Sequence, residues 1–161
     1  MKELDEIIYD AVHIGEHEEN PSPTKQAIAA LVGERIFSTC IPVPPTEEDN
    51  TPVPYLIITD DPFNNEQGTK DDVWESDTDR VQSSVEIAGH SPKEVKHLRK
   101  LVRRALREHV AALPYSDIPQ LVSVSNDGIA WDWIKPCYYD RLHYQCDVTI
   151  QDDEQEEPSE S

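Results

Sequence analysis

Cys137, His143 and Cys146 are the residues whose types most readily suggest chemistry, because two thiolates and an imidazole make zinc ligands. Their spacing argues against that use. LHYQCDVTI alternates apolar and polar residues with the period of a strand, so His143 and Cys146, three positions apart, point to opposite faces. The sequence has no CxxC pair, and Cys146 reads as a small core residue. Nor does it contain GxSxG, a Walker loop, HExxH or a glycine-rich dinucleotide fingerprint. Ser83, Ser84, Ser123 and Ser125 fall in strand patterns. Most carboxylates lie in loops and at the C-terminus, where ordinary ionisation is expected. The expectation is a protein with no catalytic residues, no metal and no cofactor.

The charge distribution points towards binding instead. Lys93, Lys96, Arg99, Lys100, Arg103, Arg104 and Arg107 are seven of the 14 basic residues; against Glu94 and Glu108 their segment nets +5 in a chain of −19. Such a segment is either a solvated helix face or a contact surface for an acidic neighbour. A counterpart exists within the chain, because residues 60–79 hold eight acids against Lys70, a net −7. The candidate subunit interface is therefore Lys96, Arg99, Lys100, Arg103, Arg104 and Arg107 of one copy with Asp71, Asp72, Glu75 and Asp77 of another. DNA binding by the basic segment would be opposed by the surrounding negative field. Trp131, Trp133, Tyr138, Tyr139 and Tyr144 either cover a core or, because Trp131 and Trp133 share a strand face, join an assembly interface.

The basic residues are carried by the most secure predicted helix, 91–113. Ser91-Pro92-Lys93-Glu94 supplies a capping serine, a proline at the first position and a glutamate at the third. Val95, Leu98, Leu101, Val102, Ala105, Leu106 and Val110 form its apolar stripe, and Pro114 stops it. Leu4, Ile7, Ile8, Ala11 and Val12 mark an earlier helix ended by Gly15, and TKQAIAALVG reads as a short helix capped by Thr24 and stopped by Gly33. ERIFSTCI, YLIITD and RVQSSVEIAG are strand candidates; in the last, Val81, Ser83, Val85 and Ile87 share one face. IPVPPTEEDNTPVP cannot be regular, because its prolines lack ladder donors. LVSVSNDG and IAWDWI are strands around a turn at Asn126-Asp127-Gly128, and LHYQCDVTI closes the domain. The expected fold is α+β: a mixed or antiparallel sheet of about four to five strands with two or three helices, the longest packed on one face. It occupies residues 1–150 as a single domain with mobile insertions at 13–24 and 60–79, followed by a disordered acidic segment, 151–161.

Composition narrows the function classes. At 161 residues the chain fits one domain, and 37% hydrophobic residues allow only a modest core. An excess of 33 acids over 14 bases disfavours a general nucleic-acid binder or a protein held at an anionic membrane. Three sparse cysteines and an acidic N-terminus predict a chain made in a reducing cytoplasm, and no stretch is apolar enough for a membrane span.

Val32-Gly33-Glu34-Arg35-Ile36, Pro54-Tyr55-Leu56-Ile57-Ile58 and Val102-Arg103-Arg104-Ala105-Leu106, in that order between a helical start and a closing set of strands, resemble the tail-terminator, or tail-completion, proteins of long-tailed bacteriophages. The resemblance spans about residues 4–150 and rests on order and spacing; the insertions at 13–24 and 60–79 exceed the family minimum. It implies a non-enzymatic virion protein that forms a ring, usually six-fold. Such a ring caps the tail tube, halts its polymerisation and docks to the head-completion or connector protein while DNA passes unbound. Other readings remain: a head-closure or minor tail protein, an acidic DNA-mimicking inhibitor, or a small hydrolase. An inhibitor would need its acids in spaced rows on ordered elements, and a hydrolase a cleft with a perturbed carboxylate or histidine.

Overall fold

A computed structural model describes residues 3–60, 64–65, 78–113 and 120–149. Its elements are α1 (Leu4–Val12), α2 (Pro23–Val32), β1 (Ile36–Ser38), β2 (Tyr55–Asp60), β3 (Asn64–Asn65), β4 (Thr78–Gly89), α3 (Pro92–Ala112), β5 (Gln120–Asn126), β6 (Ala130–Asp132) and β7 (Cys137–Thr149). The fold is α+β. One mixed, seven-stranded sheet follows the path β1-β2-β4-β7-β5, with β3 on β4 and β6 on β7. β1 runs parallel to β2 and every other pairing is antiparallel. β6 lies within the IAWDWI strand candidate, whereas β3, of two residues, is too short to show a period and has no counterpart among the candidates.

Three helices cover one sheet face. Leu4, Ile7, Ile8, Ala11 and Val12 of α1 are all buried, so the stripe read from spacing is the packing face. α2 begins two residues earlier than its sequence suggests: Ser22, not Thr24, is the cap, and its hydroxyl accepts from Lys25 N–H at 3.2 Å. Pro23 at the first helical position repeats the Ser-Pro start of α3, while Thr24 is buried inside the helix. Gly33, at φ 58°, ends α2 in a backbone region that favours glycine. In α3 the Ser91 hydroxyl accepts from Glu94 N–H at 3.1 Å, and the Glu94 carboxylate accepts from His90 N–H at 2.8 Å, one residue outside the usual capping box.

Strand register explains which residues meet the helices. Ile58, Val85 and Leu142 lie in one cross-strand row, as do Leu56, Ile87 and Asp140. Both rows face the helices. Ser83 shares that face; its hydroxyl donates to the Thr59 carbonyl at 2.7 Å, which satisfies a fully buried polar group. The opposite face carries the half-buried pairs Gln82–Gln145 and Glu86–Arg141. At one end it is covered: Tyr55, Ala88 and Cys137 form a second cluster with Phe37, Ile41, Val53 and Ile57, under the irregular proline-rich segment.

The Asn126-Asp127-Gly128 turn does not make a hairpin of its flanking strands. β5 and β6 both pair with β7, on residues 142–147 and 137–139, so the turn interrupts one continuous edge. The local reversal instead comes at Trp133–Pro136, between β6 and β7. The acidic stretch between Asp60 and Thr78 and the segments 114–119 and 150–161 lie outside the described residues, apart from Asn64 and Asn65.

Candidate functional site

The outward side of α3 is the feature that the fold builds with most care. Burying Val95, Leu98, Leu101, Val102, Ala105 and Leu106 forces the residues between them towards solvent. Lys96, Lys100, Arg103, Arg104 and Arg107 are all exposed, and none has an ion-pair partner among the described residues. Arg99, predicted to join them, is placed differently. Its guanidinium donates to Asp140 at 2.7 Å, and Asp140 is 0% exposed. Asp71, Asp72, Glu75 and Asp77, the proposed acidic counterparts, lie outside the described residues.

The Arg99–Asp140 pair fixes the pose of that face. Asp140 accepts from Arg99, Asn126 Nδ2 at 3.0 Å, Gly128 N–H at 2.9 Å and Arg141 N–H at 2.8 Å. Burial raises its pKa; hydrogen bonds from Arg99, Asn126, Arg141 and Gly128 outweigh that and hold the carboxyl below its ordinary value. One carboxylate thus ties α3, β7 and the β5–β6 turn together.

Beside α3 lies a groove of about 480 Å³, lined by Lys100, Arg103, Arg104, Leu106, Arg107, Val110, Val124 and Tyr144. It exists because α3 packs over β4 and β7, while the edge strand β5 extends beyond it and leaves Val124 42% exposed. The floor is apolar and the rim cationic. The buried Tyr144 hydroxyl has no hydrogen-bond partner among the described residues. Burial pushes its pKa up to about 12, and Arg103 pulls the other way.

A second feature stands at the β6–β7 end of the sheet. The β6–β7 hairpin tip projects Trp133, 85% exposed, and Ile134, 96% exposed. The tip is braced: Asp132 Oδ1 accepts from Ile134 N–H at 2.9 Å and Lys135 N–H at 3.3 Å, and Lys135 Nζ reaches Asp49 Oδ1 at 2.8 Å. Lys135 also lies over the Tyr55 ring, 4.9 Å from its centroid. Trp131 stands edge-on to Trp133 at 5.9 Å and to Tyr138 at 4.7 Å. The aromatic set therefore divides: Trp131 and Tyr138 are half-buried, and Trp133 is presented to solvent.

No family model matches the chain. No curated protein matches it. Eighteen chains of solved structures match. One belongs to the "Virion of native gene transfer agent (GTA) particle"; it is 13% identical, the match covers 90% of this chain and 95% of that one, and the TM-score is 0.41. A likeness at that level carries no functional argument, so the chain's own surfaces must supply one.

The residues first considered for chemistry are placed as packing and surface groups. Cys137 is buried in the smaller cluster and Cys146 in the helix-side core, on opposite sheet faces, and His143 pairs with Asp127 at 2.8 Å. Among the described residues no group of His, Cys, Asp and Glu could hold a metal ion. Burial raises the pKa of Tyr55 and of the Cys137 thiol, away from the ionised nucleophile. Among the described residues no helix is long and apolar enough to cross a membrane. Sequence reasoning missed Asp140, although it shares strand parity with the apolar Leu142, Tyr144 and Cys146, and that parity was the available signal.

Proposed function

We propose that this chain is a structural virion protein of a tailed bacteriophage that caps the finished tail tube as a ring. The ring, six-fold by family resemblance, stops tube polymerisation and presents the surface that joins tail to head. The observation that carries the reading is the outer face of α3: Lys96, Lys100, Arg103, Arg104 and Arg107 stand exposed without acidic partners among the described residues, in a chain of net charge −19. A cationic face kept in one pose by a buried ion pair suits a fixed contact with an acidic protein surface. Another copy of so acidic a chain offers one, with Asp71, Asp72, Glu75 and Asp77 among its acids.

The order of segments from Val32-Gly33-Glu34-Arg35-Ile36 to Val102-Arg103-Arg104-Ala105-Leu106 supports the terminator role within this class. Excess negative charge also suits a ring through which DNA slides without binding. In this role the protein is not an enzyme, requires no cofactor, resides in the virion neck and contacts the tail-tube and head-completion proteins. Its test is the purified chain mixed with polymerising tail-tube protein and imaged by electron microscopy. Blocked tube growth with a disc at one end is expected; tubes of unrestricted length with bare ends would overturn the role.

A further inference from the structure

The groove beside α3 and the β6–β7 tip are complementary in polarity and charge. The groove offers about 480 Å³ with Val110, Val124 and Tyr144 at its floor and arginines at its rim. The tip offers Trp133 and Ile134, nearly fully exposed and held in one conformation by the Asp132 turn and the Lys135–Asp49 pair. Its surroundings carry an excess of acids: Glu48, Asp49, Glu86 and Asp132 line the hollow that Ile134 borders, against Lys135 and Arg141.

We infer that the Trp133–Ile134 tip of one copy inserts into the α3 groove of a second copy. The indole would sit on the apolar floor beneath Arg103 and Arg107, an arrangement that adds cation–π attraction to area burial. A braced tip loses little freedom on docking. Its own groove is out of reach. Along β7, Tyr138 beside the tip and Tyr144 in the groove are six residues apart, roughly 20 Å at strand rise. Tip and groove are different patches, so the contact is head-to-tail and propagates until rotation closes it. The inference deepens the ring reading above, on which it rests only for the presence of a second copy.

Two full-length variants test it. Trp133→Ser with Ile134→Ser removes the tip and leaves the groove; Val124→Glu with Arg103→Glu spoils the groove and leaves the tip. Sedimentation velocity from about 10 to 500 μM should show a wild-type oligomer weakened about thirtyfold or more in either variant, the scale of a lost aromatic anchor. An equimolar mixture of the two variants should form a dimer, since one intact tip and one intact groove remain, while each alone stays monomeric with wild-type circular dichroism. Three results would overturn the inference: a variant that keeps the wild-type oligomer, a mixture that does not associate, or a wild type that stays monomeric up to about 500 μM. The first leaves the ring reading standing with its interface elsewhere. Tube capping by a tip-less oligomer would likewise separate the two.

Discussion

Replacing Asp140 by alanine removes the only carboxylate that Arg99 touches among the described residues. The substitution strands the guanidinium, which is 21% exposed at its side chain, and takes the acceptor from Asn126 and from Gly128 N–H. Loss of one partner of a buried ion pair costs about 3–5 kcal/mol. Asn126 and Gly128 are themselves exposed and regain water, so the lower half of that range is expected. For a domain of this size each kcal/mol lowers Tm by about 2–4 °C, which gives a fall of roughly 6–15 °C. Arg99→Met should cost less, because three other donors still serve the Asp140 carboxylate. The double variant Asp140→Ala/Arg99→Met should be more stable than the two single losses predict, with a coupling of about 1.5–3 kcal/mol. Urea unfolding followed by circular dichroism measures all four corners of the cycle. Additive losses, or an Asp140→Ala variant within about 0.5 kcal/mol of wild type, would refute the assignment of Asp140 as the anchor of α3.

Acid should act through the same carboxylate. Asp140 is held below its ordinary value in the folded state, so its contribution is fully present above about pH 4, where the unfolded side chain is ionised, and is lost as pH falls through the folded value. Unfolding free energy against pH should therefore lose a component below about pH 4 that Asp140→Asn lacks. Leu98→Asp or Val102→Asp places a charge in the fully buried face of α3 and should leave the chain unfolded or insoluble; a soluble variant with native circular dichroism would contradict the packing. Of the three thiols only Cys40 is exposed, so brief alkylation of the native protein should add one label by mass spectrometry, and three after denaturation. Arg103→Glu with Arg107→Glu should leave Tm within a few degrees of wild type while reducing self-association, because exposed charges contribute little to folding.

The helices were legible because their signals are local. The Ser91-Pro92 start and the stripe from Val95 to Leu106 mark α3 without reference to anything distant. The Thr24 cap was misplaced although the same Ser-Pro pair, Ser22-Pro23, stood two residues upstream. The break between β5 and β6 was legible at Asn126-Asp127-Gly128, but the pairing of its flanking strands was not. Asn-Asp-Gly chemistry reports a break in the chain, but whether the strands flanking it face each other or share a third depends on β7, whose 13 residues are long enough to pair with both. Asp140 and Arg99 are 41 positions apart, and neither local pattern names the other. The cationic face was visible in the sequence as residue types at helical spacing. The groove beside it was not, since it needs the helix to stop short of an edge strand.

The proposed tube cap requires that copies of this chain assemble on one another. Negative-stain electron microscopy of the purified full-length protein, alone and with tail-tube protein, tests it most directly. Closed rings, six-fold by family resemblance, are expected, free or seated on tube ends. Dispersed single copies in both samples, at low and moderate salt alike, would contradict it.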